Sequence, residues 1–185
     1  TISGQLIQVF TKYSLDVDDA YIKIENTITN LSDNPLSNVR TWVGTRDDWV
    51  GSSDGPTKTR GNIVDGAFEA ISNAATQSHA IRISSGSEGV LFYSSSAKAQ
   101  TSIKNCCRFQ NVINQSPTTA AISATGDGSY ALFMAMNDVA VSATSETLTW
   151  FYAAGALADL ATIVSNVSAA NLTLSNLTIS EGTLT

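Results

Sequence analysis

The stretch Ala20-Tyr-Ile-Lys-Ile-Glu-Asn-Thr-Ile-Thr29 constrains the fold more than any other part of the chain. Tyr21, Lys23, Glu25 and Thr27 alternate with Ile22, Ile24 and Ile28, so one face is wet and the other dry. A period of two is that of a half-buried strand, whose successive side chains point to opposite faces. A lone strand cannot bury an apolar face, and two-stranded hairpins are marginal in water. The stretch therefore demands a sheet and a second layer.

Further strand signals follow the same logic. They fall at Gln5–Tyr13, Leu36–Val43, His79–Ile83, Gly89–Tyr93, Thr118–Ala124, Ser129–Met136 and Glu146–Tyr152. Asp16-Val-Asp-Asp19 and Asn30–Pro35 are rich in turn formers. Gly126-Asp-Gly-Ser129 reads as a hairpin turn that pairs the strands on either side of it. Gly44 to Gly66 reads as a long polar loop, and loops of that length often carry function. One helix is expected near 156–168, where Leu157, Leu160, Val164 and Val167 share a stripe. The fold class that results is all-β, a large antiparallel β-sandwich with one C-terminal helix. A chain of 185 residues can bury the core this requires.

The last fifteen residues, Asn171-Leu-Thr-Leu-Ser-Asn-Leu-Thr-Ile-Ser-Glu-Gly-Thr-Leu-Thr185, alternate like a strand and reach a Glu-Gly turn. The domain is expected over 1–170, with 171–185 opening a following β-sandwich domain or serving as an exchanged strand. This segment resembles the start of cadherin-like β-sandwich repeats. A second resemblance runs from Tyr21 to Trp49, through Thr29-Asn30, Val39-Arg40 and Arg46-Asp47-Asp48. It is similar to supersandwich-like β modules of extracellular surface proteins, as in adhesins and mastigoneme-type glycoproteins. Trp150-Phe-Tyr-Ala-Ala-Gly155 followed by a helix also fits. The resemblance implies a location at the cell surface and neighbouring modules or subunits as partners.

Composition narrows the function classes. The net charge of −6 and pI near 4.5 run against a nucleic-acid surface, which needs a basic footprint, and against docking on anionic lipid. No apolar run approaches the ~18 residues of a membrane span. Ser and Thr supply about a quarter of the chain, as in many secreted β proteins. Asn-x-Ser/Thr sequons stand at Asn30, Asn114, Asn166, Asn171 and Asn176. Pro117 makes Asn114 the poorest acceptor, so glycans are expected on Asn30, Asn166, Asn171 and Asn176. The cysteines Cys106 and Cys107 are adjacent. They are compatible with a vicinal disulfide, with pairing to other chains, or with one buried and one outward thiol.

Catalysis finds little to work with. His79 is the one histidine, and no Gly-x-Ser-x-Gly elbow accompanies it. A single His and two adjacent Cys do not assemble a zinc site. Asp47 and Asp48 lie between Trp42 and Trp49, as a saccharide platform would require, but Arg40, Arg46, Lys58 and Arg60 explain them equally as ion pairs. Glycosidase chemistry would need two carboxylates about 5 to 10 Å apart across a sugar. Asp16, Asp18 and Asp19 offer hard oxygen ligands for a weak calcium ion, without the closing Glu of an EF-hand loop. No other cofactor is expected. The expectation is a non-enzymatic extracellular structural or adhesion module that acts by protein–protein assembly. The alternative is a carbohydrate-binding module using the 44–66 loop, with Trp49, Arg46, Asp47 and Asp48 as contacts.

Overall fold

The computed structural model describes residues 6–106 and 121–175. Among these residues, eleven strands and one helix follow in the order β1 (Ile7–Ser14), β2 (Ile22–Asn30), β3 (Arg40–Thr45), β4 (Thr57–Val64), β5 (Ala67–Ala70), β6 (Ala80–Ser85), β7 (Glu88–Tyr93), β8 (Ala99–Asn105), β9 (Ser123–Thr125), β10 (Gly128–Ala135), β11 (Leu148–Ala156) and α1 (Leu160–Ser175). Eight strands make one sheet in the order β1-β2-β11-β7-β6-β4-β5, with β9 also on β4; β3-β10-β8 make a second. Every pairing between named strands is antiparallel. The protein is an all-β sandwich with one C-terminal helix.

The middle of the large sheet is covered on both faces, which explains why the strands there are almost continuously apolar. On β7, Val90 and Phe92 face the small sheet and pack with Ile81, Ile83, Ile103, Tyr130 and Leu132. Leu91 faces the other way and packs with Phe151, Ala153 and the helix residues Leu160, Ile163, Val164 and Val167. Those four lie at i, i+3, i+4 and i+7, one stripe of a helix. Gly89 lets the helix approach closely: a Cβ there would lie 2.5 Å from Leu160 Cδ1. No helix among the described residues is long and apolar enough to cross a membrane.

Several expectations are corrected. The helix begins at Leu160, not near 156, because Gly155 and Ala156 are held in β11 opposite Gly89 and Glu88. The Asp159 carbonyl then accepts the first helical bond, from Ile163 N–H at 3.1 Å, so Asp159 is the N-cap, a position that favours Asp. The helix also runs past 168 to Ser175, so residues 171–175 are helical rather than the opening of a strand; 176–185 lie outside the described residues. The 44–66 segment is not one loop, since β4 occupies its second half. Finally, the Gly126 turn is not a hairpin: β9 pairs with β4 in the large sheet, while β10 belongs to the small one. The turn passes the chain between layers.

A buried ion pair holds that crossing. Lys58 Nζ donates to Asp48 Oδ2, to the Pro56 carbonyl (3.1 Å) and to the Gly126 carbonyl (2.6 Å). Asp48 Oδ1 accepts the Gly128 N–H at 2.8 Å. Both side chains are about 1% exposed or less. Each donor of the ammonium is used, as a buried charge requires. Gly128 is also needed sterically, because a Cβ would meet the Lys104 carbonyl at 2.6 Å and Lys58 Cε at 2.9 Å.

Candidate functional site

The two sheets differ in width, and among the described residues the narrower one leaves a wing of the wider one uncovered. That wing is β1 and the adjoining part of β2. β1 pairs with β2 along all eight residues, Ile7↔Asn30 to Ser14↔Lys23, and among the described residues has no strand on its other side. Leu6, Val9, Phe10, Tyr13, Leu15, Val17 and Leu31 gather here, seven of the ten large apolar side chains that are exposed among the described residues. Phe10 is 62% exposed and Tyr13 70%.

The direction of the backbone groups follows from the hydrogen bonds. Leu31 N–H donates to the Leu6 carbonyl at 2.9 Å, and Asn30 N–H turns away from β1 to the Ala143 carbonyl at 2.9 Å. In an antiparallel pair, bonded and non-bonded positions alternate. Even-numbered β1 residues therefore bond to β2, and Ile7, Val9, Thr11 and Tyr13 direct their N–H and C=O groups to the open side. Natural edges are blunted by charge, proline or a bulge. β1 carries only Lys12, whose ammonium is turned back to Glu25 at 3.5 Å. The hydrogen bond from Lys23, 3.0 Å away, together with Lys12, holds the Glu25 carboxyl below its ordinary range.

Beneath the edge lies a cleft of about 370 Å³ between the sheets, walled by Tyr13, Ile24, Val43, Thr45, Trp150 and Tyr152. Its floor is a set of edge-on ring contacts, Phe92 with Trp150 at 5.0 Å and with Tyr130 at 5.8 Å. Burial pushes the Tyr130 hydroxyl well above its ordinary range, with Tyr152 and Asp48 adding to the effect.

The residues singled out from sequence are scattered. Trp49 is exposed at 65%, its Nε1 donating to the Gly51 carbonyl, and it overhangs a depression of about 620 Å³ with Glu88, Gly155 and Ala156. Arg46 and Asp47 are exposed nearby. Asp48 is not a contact residue, because its carboxylate is consumed by Lys58 inside the protein. Asp16 and Asp18 are exposed and Asp19 half-buried, with Asp19 N–H donating to the Asp16 carbonyl. Their carboxylates do not converge. Among the described residues, the one group whose ligand atoms come within 4.8 Å of one another is Asp47, Asp127 and Cys106. Partial desolvation, then Asp47, Asp54 and Asp48, raise the Asp127 carboxyl. Cys106 is disulfide-bonded, so its sulfur is no thiolate ligand; Cys107 lies outside the described residues.

The sequon asparagines separate in the same way. Asn30 is fully buried. Its amide donates to the carbonyls of Asn34, Val139 and Ala140, and its Oδ1 accepts from Ser32. That occupancy overturns Asn30 as a glycan acceptor. Asn166 is exposed on α1, and Asn171 falls within the same helix; Asn114 and Asn176 lie outside the described residues. The edge position of β1 is not legible in the sequence of Gln5–Tyr13. Its apolar residues on both faces read equally as a central strand.

No protein family, curated protein or solved structure matches this chain. The functional reading rests on the geometry.

Proposed function

We propose that this chain is an extracellular structural and adhesion module of a multi-domain cell-surface or filament-forming glycoprotein, and that it acts by protein–protein assembly rather than turnover. The observation that carries the reading is β1: a full-length edge strand with outward backbone groups and exposed apolar side chains on both faces. Such an edge accepts a strand from a partner, main-chain bonds giving affinity and alternate side chains giving specificity. The partners are neighbouring modules or subunits of the same surface protein. The disulfide at Cys106 and the exposed sequon at Asn166 support an oxidising, extracellular setting.

Footprinting tests this. Hydroxyl-radical labelling of Phe10 and Tyr13, with Trp49 as internal comparator, is measured on the isolated chain at low concentration and on surface material from producing cells. Protection of Phe10 and Tyr13 in the surface material is expected. Equal labelling in both states sinks the proposal.

The carbohydrate-binding alternative is favoured by one observation, the exposed indole of Trp49 above its depression. Flat aromatic faces of this kind are common contact points. It requires that Trp49→Ala abolish retention on a glycan column while leaving the unfolding midpoint unchanged.

A further inference from the structure

We infer that the partner of β1 is β1 of a second copy of this chain, in a closed two-fold dimer centred on Phe10. This rests on the assembly reading above and names the occupant of the edge. Three observations select it.

The first is apolar surface. Along the strand Leu6, Val9, Phe10 and Tyr13 are each more than half exposed, on both faces of the edge, so a second strand laid against β1 would cover apolar surface on either side of the ladder.

The second is register. A two-fold axis perpendicular to the sheet keeps each face of one copy continuous with the same face of the other. Residues of equal parity must then oppose one another. With Phe10 opposite Phe10 of the second copy, Val9 opposes Thr11 and Ile7 opposes Tyr13, all on the inner face. Each of these residues has outward-pointing backbone groups, so the pairs exchange both hydrogen bonds, as an antiparallel ladder requires. The two Phe10 rings meet at a non-bonded position, where side chains approach closest.

The third is charge. In this register Lys12 opposes Gln8, and the two Lys12 side chains stand four residues, roughly 14 Å, apart along the ladder. A Lys12-centred register would set two ammonium groups face to face. A Thr11-centred one would set Lys12 against Phe10. Lys12 thus disfavours these two registers without closing the edge, since Glu25 draws its charge back onto β2. A two-fold contact uses the same patch on both copies, so it closes at two and consumes both edges. The combined sheet would run continuously through β1 of each protomer.

The test uses the whole chain with single cysteines introduced at exposed β1 positions, which leaves the core untouched. Phe10→Cys is expected to cross-link spontaneously in mild oxidant into a species of twice 19.5 kDa. Gln8→Cys, on the same face, should stay uncross-linked, because its counterpart lies four residues away and beyond disulfide reach. In sedimentation equilibrium the unmodified chain should show a monomer–dimer equilibrium, and Phe10→Lys should raise its dissociation constant at least about tenfold. Equal cross-linking at both positions, or assembly to species larger than the dimer, overturns the proposed register and closure. A monomer throughout, with Phe10 and Tyr13 still protected in surface material, overturns the homodimer and leaves the assembly reading standing with another module as partner. A monomer without such protection overturns both.

Discussion

Replacing Lys58 by methionine keeps the length of the side chain and removes its charge from a site that is about 1% exposed. Asp48 then keeps only the Gly128 N–H, and the Pro56 and Gly126 carbonyls lose their donor. Breaking a buried pair by deleting one partner costs about 3–5 kcal/mol, mainly through the uncompensated charge left behind. For a domain of this length, each kcal/mol lowers Tm by roughly 2–4 °C, so a fall of about 6–20 °C is expected. The carboxylate also anchors the segment before Val50 to the turn where the chain changes sheets. Urea unfolding followed by tryptophan fluorescence would read the loss. Removing both charges in Lys58→Met/Asp48→Leu should recover part of it, the cycle giving a coupling of about 2 kcal/mol or more. A single variant within about 1 kcal/mol of the parent, or a double variant that loses the full sum of the two singles, would show that the pair does not hold this crossing.

Asn30→Ala should cost about 2–4 kcal/mol, because its buried amide ties the 30–34 turn to Val139 and Ala140; peptide mapping of secreted protein should also find Asn30 bare. Gly89→Ala should cost about 1–3 kcal/mol by pushing Leu160 off the sheet, seen as lost helical signal in circular dichroism before global unfolding. His79 donates from Nδ1 to the Ser96 carbonyl, and burial holds its imidazole below the ordinary value. The folded state therefore resists protonation. Its stabilising share is complete above about pH 6.5 and is lost as pH falls through the lowered folded value. Tm of the parent measured from neutral to mildly acidic pH should decline more steeply than that of His79→Gln, and parallel slopes would refute the assignment.

What the sequence disclosed depended on how many faces of an element are buried. β2 announced itself by alternation, and β7 and β10 by short apolar runs, because these strands pack in the usual ways. β4 was hidden: Thr57-Lys-Thr-Arg-Gly-Asn62 reads as loop, yet Lys58 and Arg60 point inward. Arg60 is fully buried and donates to Ser78 and Thr101 hydroxyls and the Ala74 carbonyl. Partners brought from distant positions make such burial tolerable, and single-sequence patterning does not see them. The Gly126 turn misled for the same reason, since Asp48 and Lys58 capture both of its sides. At Asn30 the sequon spelling was correct, but the amide already served the fold. The edge status of β1 is a property of topology alone.

The order β1-β2-β11 makes β1 and β11 parallel, each being antiparallel to β2. Ile7 and Ala156 consequently sit at opposite ends of the sheet. Tension drawn between the two ends of the described chain would pull β1 and β11 along their own axes in opposing directions, perpendicular to the ladder bonds. Once α1 has peeled away, the eight-residue β1–β2 register would bear load in shear, its bonds strained together rather than unzipped one by one. A stretched molecule of this design should yield in a single abrupt rupture at high force, the behaviour of a mechanical link.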